Sequence, residues 1–146
     1  MATEPTAIRA DVVTVILRHD GKILILKRGG KVRTMKFLWA GISGYIEKET
    51  PLERALIEVK EETGLTKASV KLAHVGQPME VVESGKAGLT WIVHPFLFDT
   101  KTILIRMDWE HEEFKWIRPK DLDNYRTVPR LKDVVNELIQ QSKLGN

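Results

Sequence analysis

The chain has no cysteine. That excludes disulfides, zinc–thiolate centres and a thiol nucleophile. No apolar run approaches the ~20 residues needed to cross a bilayer, and Met1 to Ala7 lack the basic-then-apolar order of a secretory signal. A cytoplasmic protein with no membrane partner is the expectation. Strong charge of either sign is absent too. A net charge of +3 and a pI of about 9.2 favour an anionic small molecule over a cationic one, but make no case for nucleic acid. Internal repeats, low-complexity segments and long linkers are also missing. What remains is 146 residues, 42% hydrophobic and 29% charged, an ordinary composition for one globular domain spanning 1–146. Its core is expected at about residues 8–140.

One stretch, Ser43 to Leu65, organises the rest. Thr50 is an N-cap residue, Pro51 suits the first helical position, and Glu53 completes a capping box. Gly64 sits where a left-handed residue would end the helix. Leu52, Ala55, Leu56 and Val59 form one apolar stripe for docking on a core. Beside it Glu58, Glu61 and Glu62 fall at i, i+3 and i+4, and so are neighbours on one helix face. Two readings follow. Charge runs are often solvated surface. A cluster of hard carboxylate oxygens with room for water equally suits Mg²⁺ or Mn²⁺ bound together with substrate phosphates.

The whole stretch resembles the Nudix box: a glycine, five residues, Glu, seven residues, Arg-Glu, an aliphatic residue, any residue, Glu-Glu, any residue, Gly and an aliphatic residue. Glu49 takes the first glutamate position. Glu58 and Val59 take the Glu–aliphatic pair, and Glu61, Glu62, Gly64 and Leu65 close the box in register. Two positions depart. Ser43 stands at the first glycine, with Gly44 directly after it. Ile57 stands at the arginine, which in the family pairs with box glutamates. Arg54, one turn before Glu58, offers an i,i+4 ion pair from another direction.

The resemblance implies an α/β (α+β) fold, an α/β/α sandwich around a mixed sheet. It also implies a metal-dependent hydrolase that cuts a phosphoanhydride in a nucleoside diphosphate linked to another group. Glu58, Glu61 and Glu62 are then the metal ligands, for Mg²⁺ or Mn²⁺. Glu49, Glu61 and Glu110 are the catalytic candidates, with Glu113 the alternative to Glu110. Arg28, Lys36 and Trp39 are the substrate-binding candidates, and the carbonyl of Ile42 is a further metal contact. Family members are often dimers, so a homodimer is a partner to test for. A catalytically weak nucleotide-binding or regulatory module, motivated by Ile57, is the competing function. A Nudix isomerase needs a cysteine that the chain lacks. More narrowly, Asp108 to His111, Phe114 to Ile117 and Thr127 to Leu131 look like archaeal and fungal Nudix domains associated by name with translation initiation factor two-B.

The flanking sequence supplies a sheet and a second helix. Ile8 to Leu17 and Ile23 to Leu26 read as strands joined by an Asp-Gly turn, with His19 exposed there. Five cations from Lys27 to Lys36 form a loop, either solvated or holding diphosphate oxygens, Arg by its fork and Lys as a point charge. Phe37 to Ile42 leads a strand into the box, with Trp39 either core or a stacking wall. Ser69 to Val75 and Met79 to Val82 look extended, with His74 structural, and Glu83 to Gly88 is a polar turn. Leu89 to Phe98 is a central strand in which His94 is a satisfied, partly buried histidine. Lys101 to Met107 reads as another strand. Asp108 to Ile117 is an acidic loop before a short strand containing Trp116, where His111 sits among carboxylates. Pro119 to Leu122 starts a short helical turn. A final amphipathic helix presents Leu131, Val134, Val135, Leu138 and Ile139, and Gln141 to Asn146 are expected to fray.

Overall fold

The computed structural model describes residues 8–82 and 89–144. The polar turn expected over Glu83 to Gly88 lies outside them. In chain order the elements are β1 (Ile8–His19), β2 (Lys22–Arg28), β3 (Trp39–Ala40), β4 (Ile42–Tyr45), α1 (Pro51–Thr63), β5 (Val70–Val75), β6 (Met79–Val82), β7 (Leu89–Thr100), β8 (His111–Ile117) and α2 (Leu131–Leu144). Pro119–Asn124 forms a 3₁₀ turn between the last two. The eight strands make one mixed sheet with β1 and β7 parallel at its centre.

That central pair runs in register from Ile8 opposite Leu89 to Arg18 opposite Asp99. Each partner is long enough to take two neighbours on its other edge. On β1 these are β4 along Val12 to Val15, then β2 across the hairpin. On β7 they are β6 and then β5, both antiparallel. The Asp20–Gly21 turn has positive φ at both residues, as a two-residue hairpin requires. His19 is therefore the last residue of β1 rather than an exposed turn residue. Its Nδ1 lies 2.8 Å from the carbonyl of Thr100, and its ring meets Trp116 edge-on.

Alternation along the strands separates two cores. Val13, Val15, Leu17, Leu24, Leu26, Phe96 and Phe98 face α1, while Val12, Ile16, Ile23, Ile25, Val93 and Leu97 face α2. The α/β/α sandwich follows, because each helix stripe covers one face of the sheet. On α2 the buried residues are Leu131, Val134, Val135 and Leu138, with Ile139 half-buried, as the spacing predicts. Gln141 to Leu144, expected to fray, continue α2.

Two other expectations change. The strand expected through Phe37 to Ile42 is broken at Gly41: Ala40 pairs with Leu26 of β2, and Ile42 with Val15 of β1. Lys101 to Met107 is not a strand. Both edges of β7 are already taken, so this segment crosses the end of α1. There the Arg106 N–H satisfies the helix-terminal carbonyl of Thr63 at 2.9 Å, and Ile105 and Met107 cover the α1-side core. Among the described residues, no helix is long and apolar enough to cross a membrane.

Candidate active site

Helix α1 begins and ends as its sequence dictates. The Thr50 hydroxyl accepts from the Glu53 N–H at 3.2 Å, and Glu53 accepts from the Thr50 N–H at 3.1 Å. Gly64 closes the helix at φ 77°, its N–H bonded to the Lys60 carbonyl. The buried face is rotated from the expected apolar stripe. Ala55 and Val59 are buried, but Leu56 is only half-buried and Leu52 is exposed; Glu58, Glu62 and Thr63 are buried instead. The helix turns its carboxylates, not its leucines, toward β4.

Gly44 makes that rotation feasible. It pairs with Val13, so its missing side chain would point to the α1 face. A Cβ there would overlap the Glu58 carboxyl group. Glu58 thus lies directly against the β4 backbone, where only glycine leaves room. Next to it the Glu62 carboxylate accepts the Ser43 N–H at 3.2 Å and touches the Glu58 carboxyl.

Arg54 organises the outer side. It donates from Nε to Glu49 and from Nη1 to Glu58 at 3.1 Å, and its Nη2 lies 3.6 Å from Glu47. The pair pulls Glu49 down to about 2, the Arg54 guanidinium being the main cause and the Glu47 N–H the next. Ile57, at the position of the family arginine, is exposed on the next turn. The i,i+4 contact expected from Arg54 to Glu58 is present.

The segment before β8 supplies the third side. The carbonyl of Glu110 accepts the Gly29 N–H at 2.8 Å, which ties this loop to the end of β2. His111 is buried, with Nδ1 2.8 Å from Asp108 and Nε2 3.6 Å from Glu62. Burial pushes Glu62 well above the usual carboxylate range, with Glu58, Asp108 and Glu110 adding to the effect. Burial also raises Glu58, against the pull of Arg54. Burial and Asp108 raise Glu110, while His111 and Arg28 oppose them.

These groups head a cleft of about 590 Å³. Glu58, Glu61, Glu110 and Arg28 line it. Glu62 lies behind Glu58 with 2% exposure, and Glu49 sits beside them on Arg54. Arg28 has two N–H groups already bonded to the Thr34 carbonyl, so part of its fork holds its own loop. The other two substrate-binding candidates lie elsewhere. Lys36 is exposed and does not line the cleft. Trp39 is core: it is buried, packs edge-on against Tyr125 at 5.3 Å and carries Lys115 over its ring. It faces the α2 side because side chains alternate along a strand and Ala40, the next residue, pairs with Leu26 of the α1-side core. Glu113, the alternative to Glu110, pairs with Lys27 in the β2–β8 ladder, outside the cleft. Sequence reasoning missed three contributors: Gly44, the Asp108–His111 pair behind Glu62, and Trp91 in the cleft wall. The adjacency of Gly44 to Ser43 was the available signal for the first.

The donor set is hard oxygen with excess negative charge. Among the described residues, no three His, Asp or Glu side chains converge tightly enough to enclose an ion by themselves. Mg²⁺ is usually bound through one or two carboxylates completed by water and substrate phosphate rather than by a protein cage. Glu58 and Glu62, with Glu61 at the rim, are the residues that fit it.

Comparison with known proteins identifies the architecture. The family model described as NUDIX domain matches residues 7–138. An Ap4A hydrolase from C. elegans, solved as a binary complex, is similar at 16% identity and a TM-score of 0.75, over 94% of this chain and 99% of that one. The MutT protein from Methanosarcina mazei Go1 is 23% identical with a TM-score of 0.71, over 96% of this chain and 99% of that one. The NUDIX domain of Shewanella oneidensis NrtR, solved with ADP ribose, is 14% identical with a TM-score of 0.71, over 94% and 89%. Among curated proteins, none matches the chain. At these identities the solved structures establish the fold alone.

Proposed function

The chain belongs to the NUDIX domain family, and from that premise we propose that it is a metal-dependent hydrolase of the phosphoanhydride bond in a nucleoside diphosphate linked to another group. One observation carries this reading. Glu58 is pressed onto the backbone at Gly44, next to buried Glu62 and across from Glu110, at the head of a cleft that also holds Arg28. Burying repelling carboxylates costs stability, and such a cost is expected to persist where the charges work on a ligand.

Glu58 and Glu62, with Glu61, would hold Mg²⁺ or Mn²⁺. When bound, the ion supplies charge neutralisation for the diphosphate and a lowered pKa for water. The chain's own residues do the rest. Arg28 contacts phosphate oxygens from the cleft wall with the part of its fork not spent on Thr34. Glu110, raised by burial, takes a proton from the attacking water more readily than an ordinary carboxylate. Water oxygen bonds to one phosphorus, and the bridging P–O bond breaks with its electron pair leaving on the other phosphate. The products are two phosphate esters, with the water proton on Glu110. Arg54 and His111 position the carboxylates from opposite sides.

Ile57 motivates a second reading, a NUDIX-fold binding module with weak turnover. The contacts of Arg54 with Glu49 and Glu58 favour the hydrolase, because they supply a guanidinium to the carboxylates from one turn earlier. The test is product release from ADP-ribose, dinucleoside polyphosphates, nucleoside triphosphates and nucleotide sugars, with and without Mg²⁺ or Mn²⁺. Metal-dependent cleavage of any of these supports the hydrolase. Silence across the panel, with tight nucleotide binding in parallel, supports the binding module.

A further inference from the structure

Arg28 is held by its own loop at three points. Its N–H donates to the Leu38 carbonyl and its carbonyl accepts the Phe37 N–H, both at 2.9 Å, which closes the base of the loop from Gly29 to Leu38. Its Nε and Nη2 both donate to the Thr34 carbonyl, at 3.1 and 3.0 Å. Those two nitrogens form one edge of the planar guanidinium. The other donor edge, Nη1 with the second Nη2 hydrogen, is left for the cleft that Arg28 lines.

The turn that makes these contacts is strained. Met35 and Phe37 have φ of 54° and 64°, in the left-handed region that bulky side chains rarely adopt. Glycine, asparagine and aspartate, which enter that region most readily, are absent from Thr34 to Leu38. The Leu38 N–H spans the turn to the Met35 carbonyl at 3.3 Å. The Phe37 ring folds back on Gly30, where a Cβ would come within 3.2 Å of it. Phe37 is 53% exposed and does not line the cleft, so neither core burial nor a place in the cleft wall accounts for its backbone. What the turn does hold is the Thr34 carbonyl, and through it the Arg28 guanidinium. The next residue, Gly29, donates to the Glu110 carbonyl at 2.8 Å, so the strand end that aims Arg28 also anchors the Glu110 segment.

We propose that the Thr34–Leu38 turn is the positioning element for Arg28, fixing the guanidinium with its Nη1–Nη2 edge toward a bound phosphate. The proposal rests on the reading of Arg28 as the phosphate contact. An arginine side chain free in water loses the freedom of several rotatable bonds when it grips a phosphate. Here the turn has removed that freedom before the ligand arrives, which is preorganisation. The strain at Met35 and Phe37 is the counterpart of that gain. Phe37 is then a positioning residue, acting on the phosphate only through Arg28.

The experiment uses the full chain and methylene diphosphonate, a non-hydrolysable phosphate pair, titrated by calorimetry in Mg²⁺. Phe37→Val places a β-branched residue on left-handed backbone and should open the turn, whereas Phe37→Asn accepts that backbone. Both remove the same ring from Gly30, so their comparison isolates the turn. Phe37→Val should bind the probe about tenfold more weakly, the scale of one hydrogen bond to a charged group. Phe37→Asn should stay within about twofold of wild type. Arg28→Ala should lose at least as much as Phe37→Val, and adding Phe37→Val to it should change nothing further. In NMR, the Arg28 Nε–H should remain hydrogen-bonded throughout the titration. Equal losses from Phe37→Val with and without Arg28 would overturn the proposal. So would no loss at all, or release of the Nε–H on binding; Arg28 would remain a phosphate contact in each case. Wild-type affinity in Arg28→Ala, or no binding to wild type, would instead remove the phosphate reading of Arg28 and the proposal with it. Met35→Val opens the same turn and decides the matter if Phe37→Val does not fold.

Discussion

Glu62→Gln should lower turnover sharply and stabilise the protein at the same time. Glu62 is 2% exposed and faces Glu58, Asp108 and Glu110, with only His111 at 3.6 Å and the Ser43 N–H at 3.2 Å to favour its charge. Gln keeps the volume, accepts the same N–H, and can donate to Glu58. Relief of a strained active-site position typically contributes about 0.5–2 kcal/mol. For 146 residues the unfolding entropy is about 0.3 kcal/mol/K, so that gain raises Tm by about 2–6 °C. The pH dependence has a definite sign. Glu62 holds its proton more tightly folded than unfolded, so its contribution to stability is complete below the unfolded value near ~4.3. It is lost as pH rises through the folded value. The advantage of the variant should therefore be absent near pH 4 and grow toward pH 8. The assay is thermal unfolding in EDTA across that range, followed by a repeat with Mg²⁺, which should raise the wild-type Tm more than the variant's. The kcat should fall by about 10²–10³-fold, the scale for losing one charge aimed at the reacting groups. A variant less stable than wild type at pH 8 in EDTA would mean that His111 already satisfies Glu62, and the repulsion account would fail. Full turnover would remove Glu62 from the chemistry.

Gly44→Ala should drive a methyl into Glu58; we expect a loss of about 1–3 kcal/mol in denaturant unfolding, as for overpacking elsewhere, and reduced kcat. Arg54→Ala should lower kcat by about 10²-fold or more by releasing Glu49 and Glu58, whereas Ile57→Arg should change it by less than about threefold; a large gain from Ile57→Arg would show that Arg54 does not replace the family arginine. The depressed Glu49 contributes stability that is present above its unfolded value near ~4.3 and lost as pH falls toward about 2. Wild type should therefore exceed Glu49→Gln in stability at neutral pH, and the two should converge in acid titrations toward pH 2.

Much of the frame was legible in the sequence. The α1 boundaries followed from Thr50, Pro51, Glu53 and Gly64, because capping is decided within a few residues. The α2 stripe and the alternation along β1 and β7 followed for the same local reason. The Arg54–Glu58 contact needed only helix geometry. The strand expectation that failed did so for a different cause. Lys101 to Met107 has strand-like letters, but no free sheet edge was left for it to pair with. Of the two readings open for Trp39, the structure takes core, and Lys36 lies close to the box in sequence yet outside the cleft.

The sequence by itself determined that three glutamates share one face of a capped helix and that a glycine stands near the strand before it. Those are matters of spacing along one chain. Only the tertiary structure decided which of the glutamates are buried, since the roll of α1 on the sheet depends on the room left at Gly44. It likewise decided that His111 and Asp108 stand behind Glu62 and that Tyr45 and Trp91 line the same cleft. These residues meet through strand pairing across tens of positions, and pairing partners are selected by the packed sheet as a whole rather than by any local run of residues.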